Sequence, residues 1–562
     1  MNIKNDLNKR DLLTIVVLAI IFFSLAVWNL GLTHAPVSNW QTSSENEEFF
    51  IDLGESADVG TVYFLVKTGS ASFQVYTGSP VNWSSSGISY SISNSYYSWT
   101  EVNVSFQTRY LRFDFQPQSS IEIAEVAVLS SENQRIAIAR VSREGVFDPN
   151  LFKLIDEQGL VQCPPTFLSE TFFDEIYFVR SAEQYLKLEV PFEWTHPPLG
   201  KLIIASGISF FGYNPFGWRI TGVIFATLMI PLIYLLGKKL FETWIGGFTS
   251  AFLLTFDFMH FTMARMATVD TYLVFFSLAS LLFFLIYLKD VLKKGWKAPV
   301  LSLFLAVLFF SLGFSTKWVV LYGFGAQLTI LAAIRFKEVL KLKESLFGKI
   351  SAMVDHPFSL IVSFLLVAIF FYFLTYIPDF LAGRTLADFP DLQWSMYNYH
   401  ATLSATHQFS SSWWTWPLVL KPLWLYVSTL PNNARSTIVL MGNPLIWWVG
   451  FALILLAVGF AVKRKEFGCI FITILFFFQW VPYMFISRIT FIYHFYVNLP
   501  FLSLAVAYFI SKYWSSKWVK VAAIAYFVGI VALFGLFYPV ISGMPASRSW
   551  IDSLKWLNGW IF

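Results

Sequence analysis

Two adjacent carboxylates, Asp174 and Glu175, stand at the start of a segment in which Ile176, Val179, Ala182 and Leu186 recur at helical spacing. A carboxylate so placed can act as general base to a hydroxyl, which attacks poorly as the neutral alcohol. It can equally cap the helix, because an Asp before the first turn satisfies free amides and suits the helix dipole. Adjacent helical positions point in different directions, so the chemistry is expected of Asp174. Glu175 takes a supporting role, orienting a substrate or bonding a neighbouring backbone amide. Some twenty residues further on comes Thr195-His196-Pro197-Pro198-Leu199-Gly200-Lys201, whose two prolines rigidify the start of a short apolar helix.

A second group of side chains is cationic. Arg219, Arg265, Lys317 and Arg488 fall at one membrane boundary in the topology set out below. Cations there can stabilise negative charge that develops on a leaving group, and they can also snorkel or enter structural ion pairs. Arg265 and Asp270, five residues apart across a turn and a helix start, are spaced to pair with each other. Lys317 lies beside Trp318, and His407 precedes Trp413, Trp414 and Trp416; either can reach a sugar or phosphate, although loop tryptophans more often anchor at the interface. His196, His400, His407 and His494 show no metalloenzyme spacing, and no Asp-x-Asp motif is present. No metal and no cofactor are therefore expected.

The elements that position these residues are set by composition. Of the 562 residues 56% are apolar and only 13% charged, which excludes a soluble domain of this size and makes lipid the principal solvent. The aromatic share of 19% fits rings that fill helix-packing surfaces and interfacial belts. The net charge of +4 is small, and the basic residues form short clusters between apolar runs, so nucleic acid is not an expected partner. Cys163 lies in a polar region and Cys469 opens an apolar run, so no disulfide between them is expected.

Eleven apolar runs read as membrane spans: Leu12–Leu32, Phe216–Gly237, Trp244–Met259, Thr268–Leu288, Pro299–Ser315, Trp318–Ile334, Phe358–Ile377, Ile438–Val462, Phe467–Ile486, His494–Ser511 and Trp518–Val540. The first follows Lys4, Lys9 and Arg10 and lacks a small-residue cleavage site, so it reads as a retained span. With a cytoplasmic N-terminus, the inner loops hold the lysine clusters, such as Lys289, Lys293, Lys294 and Lys297, whereas the three short outer loops hold one cation each, Arg265, Lys317 and Arg488. That asymmetry follows the positive-inside rule at every crossing and puts the C-terminal segment outside. Leu202–Phe211 is too short to span and would invert every later loop, so it reads as interfacial or re-entrant.

Between His34 and about Arg140 the composition changes to Ser, Thr, Tyr, Asn and short β-branched runs, the pattern of an extracytoplasmic β domain. Alternation is clear in Ser72–Tyr76, in Val102, Val104 and Phe106, and in Leu111, Phe113 and Phe115. Strands of this kind half-bury one face, as in a sandwich. Asn82-Trp-Ser84 and Asn103-Val-Ser105 match the N-glycosylation pattern without bearing on function. The expected organisation is residues 1–33 for the tail and first span, 34–145 for the β module, 146–215 for the outer loop, 216–540 for spans two to eleven with a large outer loop at 378–437, and 541–562 for an outer tail.

Thr108–Phe115 followed by Ile121–Val128 resembles the final strands of discoidin-type, galactose-binding-like jelly rolls, which would imply glycan or acceptor binding at one end of the module; a spacer or lid over the membrane site is the other reading. The Asp174-Glu175 pair followed by His196–Lys201 resembles the first outer loop of protein O-mannosyltransferases, of the GT-C superfamily and glycosyltransferase family 39. Gly217-Trp-Arg219, Ala264–Asp270, Ser315–Trp318, His407 with Trp416–Trp424, Gly442-Asn-Pro444 and Arg488–His494 resemble family blocks in the family's order. Related aminoarabinose transferases typically carry Lys-Pro-Pro where this chain has His196-Pro197-Pro198. The eukaryotic members' trefoil domain has no room in Pro378–Thr437, which points to the prokaryotic type and a prokaryotic cell membrane.

The resemblance implies a polytopic GT-C fold and an inverting transferase that moves mannose, or a related sugar, from a polyprenyl or dolichyl phosphate donor to Ser or Thr hydroxyls of proteins on the extracytoplasmic side. It implies Asp174 as the acceptor-side carboxylate, with Glu175 beside it. Arg219, Arg265, Asp270, Lys317, Arg488 and His494 would serve the donor phosphate and sugar, Arg219 foremost. His196, Pro197, Pro198, Lys201, His407 and Trp416 would shape the acceptor side. Partners are the lipid donor, protein acceptors and membrane lipids, with pairing as a homo- or heterodimer left open. Two other readings stand: a GT-C transferase acting on a lipid or glycan, and a sugar-binding receptor or transporter without catalysis, against which no inverted repeat of interrupted spans is visible.

Overall fold

The computed structural model describes residues 7–42, 46–143, 148–354 and 358–562; Lys4 and the boundary drawn between residues 145 and 146 lie outside them. Among the described residues, eight helices are long and apolar enough to cross a membrane: Lys9–Val27, Pro215–Phe241, Asp270–Lys297, Leu360–Leu381, Pro444–Arg464, Phe467–Phe485, Ile492–Lys512 and Lys517–Ser542. The chain is an integral, polytopic membrane protein.

Three expected spans take other forms. The Trp244–Met259 run is broken at Asp257, whose carboxylate accepts the amides of Met259 and His260 and starts a new helix, Phe258–Ala264. Trp244–Thr255 is left at 12 residues. Val300–Phe314 has 15 residues, about 22 Å at 1.5 Å per residue against a hydrocarbon core of about 30 Å. The Trp318–Ile334 run forms Val320–Val339, whose last turns hold Arg335 and Lys337. Leu199–Phe211 forms a 13-residue helix, too short to span on its own.

The large outer loop is structured. It holds a helix, Asp388–Thr402, and an antiparallel hairpin, Leu423–Leu430 with Ala434–Leu440, to which Ala546–Ser547 adds a third strand. Ile438 to Leu440 thus belong to a strand, and the span expected from Ile438 begins at Pro444. Asn443 caps that helix by accepting the Leu445 amide, and a Cβ at Gly442 would fall 2.0 Å from the Trp447 ring, so only glycine lets the chain turn there. The C-terminal segment packs back as well: Trp560 is buried and donates to the Val419 carbonyl at 2.7 Å.

The β module forms a six-stranded antiparallel sheet of β1 (Trp40–Thr42), β2 (Glu47–Ser79), β3 (Asn82–Pro117), β4 (Ile121–Ser130), β5 (Arg135–Ile136) and β6 (Arg140–Ser142), in the order β1-β4-β2-β3 with β5 on β4 and β6 on β2. The long β2 and β3 fold back along each other, with register shifts between Asp52 and Ala57 and between Gly69 and Ala71, so Phe73 faces both Tyr90 and Phe115. The alternation seen in the sequence is the burial pattern. Phe73, Val75, Val102, Leu111, Phe113 and Phe115 fill the module's core, while Arg112 pairs with Asp114 at 2.7 Å on the other face.

The module is fastened to the outer loop. Lys67 donates to Glu183 at 2.9 Å, Tyr96 bonds the same carboxylate, and Tyr213 donates to Tyr96 at 2.9 Å. Leu65, Tyr97 and Ala124 of the module share an apolar cluster with Phe178, Val179 and Ala182 of the Glu175–Leu186 helix.

Candidate active site

Asp174 immediately precedes the Glu175–Leu186 helix, but its side chain makes no capping bond. It makes no hydrogen bond or salt bridge to any described residue. It is partly exposed, in the field of Asp270, Lys317 and Glu193. Burial and the Asp270 charge push its pKa up to about 7, against the opposing charge of Lys317. A carboxylate with this value at neutral pH is suited to taking a proton.

Glu175 has the opposite placement. It is fully buried and holds the Arg219 guanidinium at both ends, Oε1 to Nε at 2.8 Å and Oε2 to Nη2 at 2.7 Å. Its oxygens also accept the Ala267 amide at 2.9 Å and the Phe172 amide at 3.2 Å. Arg219 in turn donates to the carbonyls of Leu30, Phe167 and Glu170. All five guanidinium N–H groups are therefore taken. This geometry leaves Arg219 no donor for the phosphate it is expected to meet, and Glu175 has a supporting place, bonding the neighbouring Phe172 amide: the pair ties the first span, the loop before the Glu175–Leu186 helix and the Pro215–Phe241 helix together.

Arg265 has four of its five N–H groups taken. It donates to the carbonyls of Ala26, Trp28, Asn29 and Ser542 and does not pair with Asp270. Arg265 ends the Phe258–Ala264 helix with its side chain turned toward the first span, whereas Asp270 opens the next helix and accepts from Lys317 at 2.8 Å.

Lys317 has two donors left, and Arg488 makes no hydrogen bond or salt bridge to any described residue. Both line a cavity of about 370 Å³ together with His196, Pro197, His400 and His494 and the apolar or aromatic residues Trp318, Leu321, Tyr322 and Ile486. Lys317 also lies over the Tyr493 ring at 5.3 Å. The cavity thus combines unspent positive charge with apolar wall, which suits an anion carrying a lipid chain.

His196 is set by a residue the sequence reading passed over. Glu193 Oε1 contacts His196 Nδ1 at 3.0 Å and Oε2 accepts from Lys201 at 2.8 Å. Despite its burial, Lys201 and His196 hold Glu193 well below the usual carboxylate range. Lys201 also donates to the carbonyls of Glu193 and His196, so its three donors are used and it supports the loop from behind. Pro198 is buried at the start of the Leu199–Phe211 helix. His400 Nε2 bonds the Thr195 carbonyl at 2.8 Å and leaves buried Nδ1 without a partner. Burial lowers the His400 pKa to about 4, so the ring is neutral.

Trp416 is buried, stacks on His494 at 5.9 Å and supports the cavity from behind. His407 is exposed, packs on Phe491 at 5.2 Å and is not part of the cavity wall. Glu170 was also passed over. It accepts the Trp99 amide of the module at 2.8 Å and the Tyr426 hydroxyl of the hairpin at 2.9 Å, with burial pushing its pKa up to about 7. No local pattern marks Glu170, because its partners lie on other elements, whereas the Glu193 partners Thr195, His196 and Lys201 follow it closely in the chain. Among the described residues, the one acidic group close enough to share a metal is Glu125, Asp156 and Glu157, outside the cavity wall.

Residues 195–354 match the family model for dolichyl-phosphate-mannose-protein mannosyltransferase, and residues 385–560 match that for the C-terminal four-helix membrane region of protein-O-mannosyltransferase. Together they take in more than half of the chain. A polyprenol-phosphate-mannose–protein mannosyltransferase of Mycolicibacterium smegmatis (strain MKD8) is 24% identical over 470 residues, 70% of this chain and 89% of that protein. One of the same name from Corynebacterium glutamicum is 24% identical over 65% of this chain and 81% of that protein. In fold, the chain is similar to the S. cerevisiae protein O-mannosyltransferase Pmt1-Pmt2 complex bound to the sugar donor, with a TM-score of 0.56 at 14% identity, over 70% of this chain and 89% of that one. Lys317 lies in the first matched region and Arg488 in the second, with Asp174 preceding both, and the chain belongs to the protein O-mannosyltransferase family.

Proposed function

We propose that this chain transfers mannose from a polyprenyl phosphate donor to Ser or Thr hydroxyls of proteins, with inversion at the anomeric carbon. The observation that carries the reading is the unpartnered Asp174 carboxylate, poised near pH 7 in the field of Lys317. Asp174 takes the proton of the acceptor hydroxyl as its oxygen bonds to the anomeric carbon. The bond from that carbon to the phosphate oxygen breaks, and the polyprenyl phosphate leaves with the electron pair. Lys317 and Arg488 meet the charge that gathers on the phosphate. His196 and His494 line the sugar side, and the Trp318, Leu321 and Ile486 wall receives the first isoprene units.

The reading includes eleven crossings, with Trp244–Ala264, Val300–Phe314 and Val320–Val339 completing the eight long helices. The N-terminus is cytoplasmic, the site and C-terminus are extracytoplasmic, and the β module is a jelly roll. No metal is required, because the cavity supplies its positive charge from Lys317 and Arg488. Purified protein is to be given radiolabelled polyprenyl phosphate mannose and a Ser/Thr peptide. Label appearing as α-linked mannose on the peptide supports the reading; label passing only to water or lipid rejects it.

A further inference from the structure

A second cavity, of about 480 Å³, opens where the β module meets the Glu175–Leu186 helix. Ser70 and Ser119 of the module form one wall, and Tyr177, Arg180 and Phe192 of the outer loop form the other. The Tyr177 amide donates to the Asp174 carbonyl at 3.1 Å, so this wall begins one helical turn from the proposed base. The Lys317 and Arg488 cavity lies on the membrane side of the same carboxylate in the proposed topology.

Arg180 forms no salt bridge with any described residue; it lies over the Phe192 ring at 4.0 Å. Tyr177 runs parallel to the same ring at 6.3 Å. Tyr177 and Phe192 are both exposed, and the unspent charge on this wall is a guanidinium. Glu122 at the module rim excludes a second acidic group from that side.

Resting on the transferase reading, we infer that this seam binds the acceptor polypeptide in extended form and that Arg180 selects a carboxylate side chain beside the modified residue. Arg180 is six residues from Asp174, an axial rise of about 9 Å, and an extended chain covers that in about three residues. The selected Asp or Glu therefore stands about three positions from the acceptor Ser or Thr. The β module is then one jaw of the acceptor site.

The test uses the full-length protein in detergent and two sets of three fluorescent peptides that differ only in Asp, Ala or Lys three positions before or three positions after a single Thr, each made with and without mannose on that Thr. Equilibrium binding is read by anisotropy and transfer by KM. The expected result is about tenfold tighter binding of one Asp peptide than of its Ala counterpart. Arg180→Ala should remove the difference with the donor KM unchanged, and Arg180→Glu should move the preference to Lys. Equal binding of the Asp, Ala and Lys peptides by the wild-type protein in both sets overturns the inference without need of a variant; a loss in Arg180→Ala confined to peptides already carrying mannose would mark a glycan site and overturns it too. Binding without transfer to any peptide would sink the transferase reading while leaving the seam as a peptide site.

Discussion

Glu175 grips the Arg219 guanidinium through both carboxylate oxygens, at 2.8 and 2.7 Å, with neither side chain exposed. Removing one partner strands the other charge in a buried setting, which costs about 3–5 kcal/mol. Arg219→Ala should therefore lower the thermal unfolding temperature and the folded yield, and the fraction that folds should keep its donor KM. A tenfold rise in donor KM at unchanged stability would show that Arg219 reaches the donor after all.

The side chain of Asp174, one residue earlier, has no hydrogen bond or salt bridge to a described residue to lose. Asp174→Asn should fold and insert as the wild type does and lose at least about 100-fold in turnover, the usual contribution of a positioned base. Size-exclusion profile, unfolding temperature and initial rate, measured together, check this.

The active form of Asp174 is the carboxylate, so kcat/KM should be lost as pH falls through about 7 and be full above it. Asp270 raises that pKa, and removing its charge also frees Lys317, which lowers it. Asp270→Asn should move the midpoint of the profile to lower pH. A midpoint that stays in place or rises would remove Asp174 as the titrating group.

Arg488 donates to no described residue. Hydrogen bonds from a charged donor contribute about 1.5–3 kcal/mol, so Arg488→Ala should raise the donor KM by roughly 10- to 150-fold. The acceptor KM should stay within twofold, and Arg488→Lys should recover part of the loss. A change in the acceptor KM alone would assign Arg488 to the other substrate.

Incubation with a chelator followed by assay should leave the rate unchanged, since the proposed transfer draws its positive charge from two side chains. Loss of activity that a divalent ion restores would contradict this.

The membrane class, the β module and the Asp174 neighbourhood were legible in the chain because each depends on local pattern: runs of apolar residues, alternation of period two, and carboxylates at the start of an amphipathic helix. The blocks from His196 to His494 likewise pointed to the family. Which cation serves an anion was not legible. Arg219, Arg265, Lys317 and Arg488 are equivalent as boundary cations in sequence, and only the folded chain brings Glu175 and seven carbonyls to the first two of them by hydrogen bonding that a linear pattern does not encode. The breaks in the short helices and the strand at Ile438 follow from single capping and pairing residues, Asp257 and Asn443 among them. Hydropathy, an average over neighbours, passes over such residues; tertiary packing decides them because a buried polar group must find its partner wherever the fold supplies one.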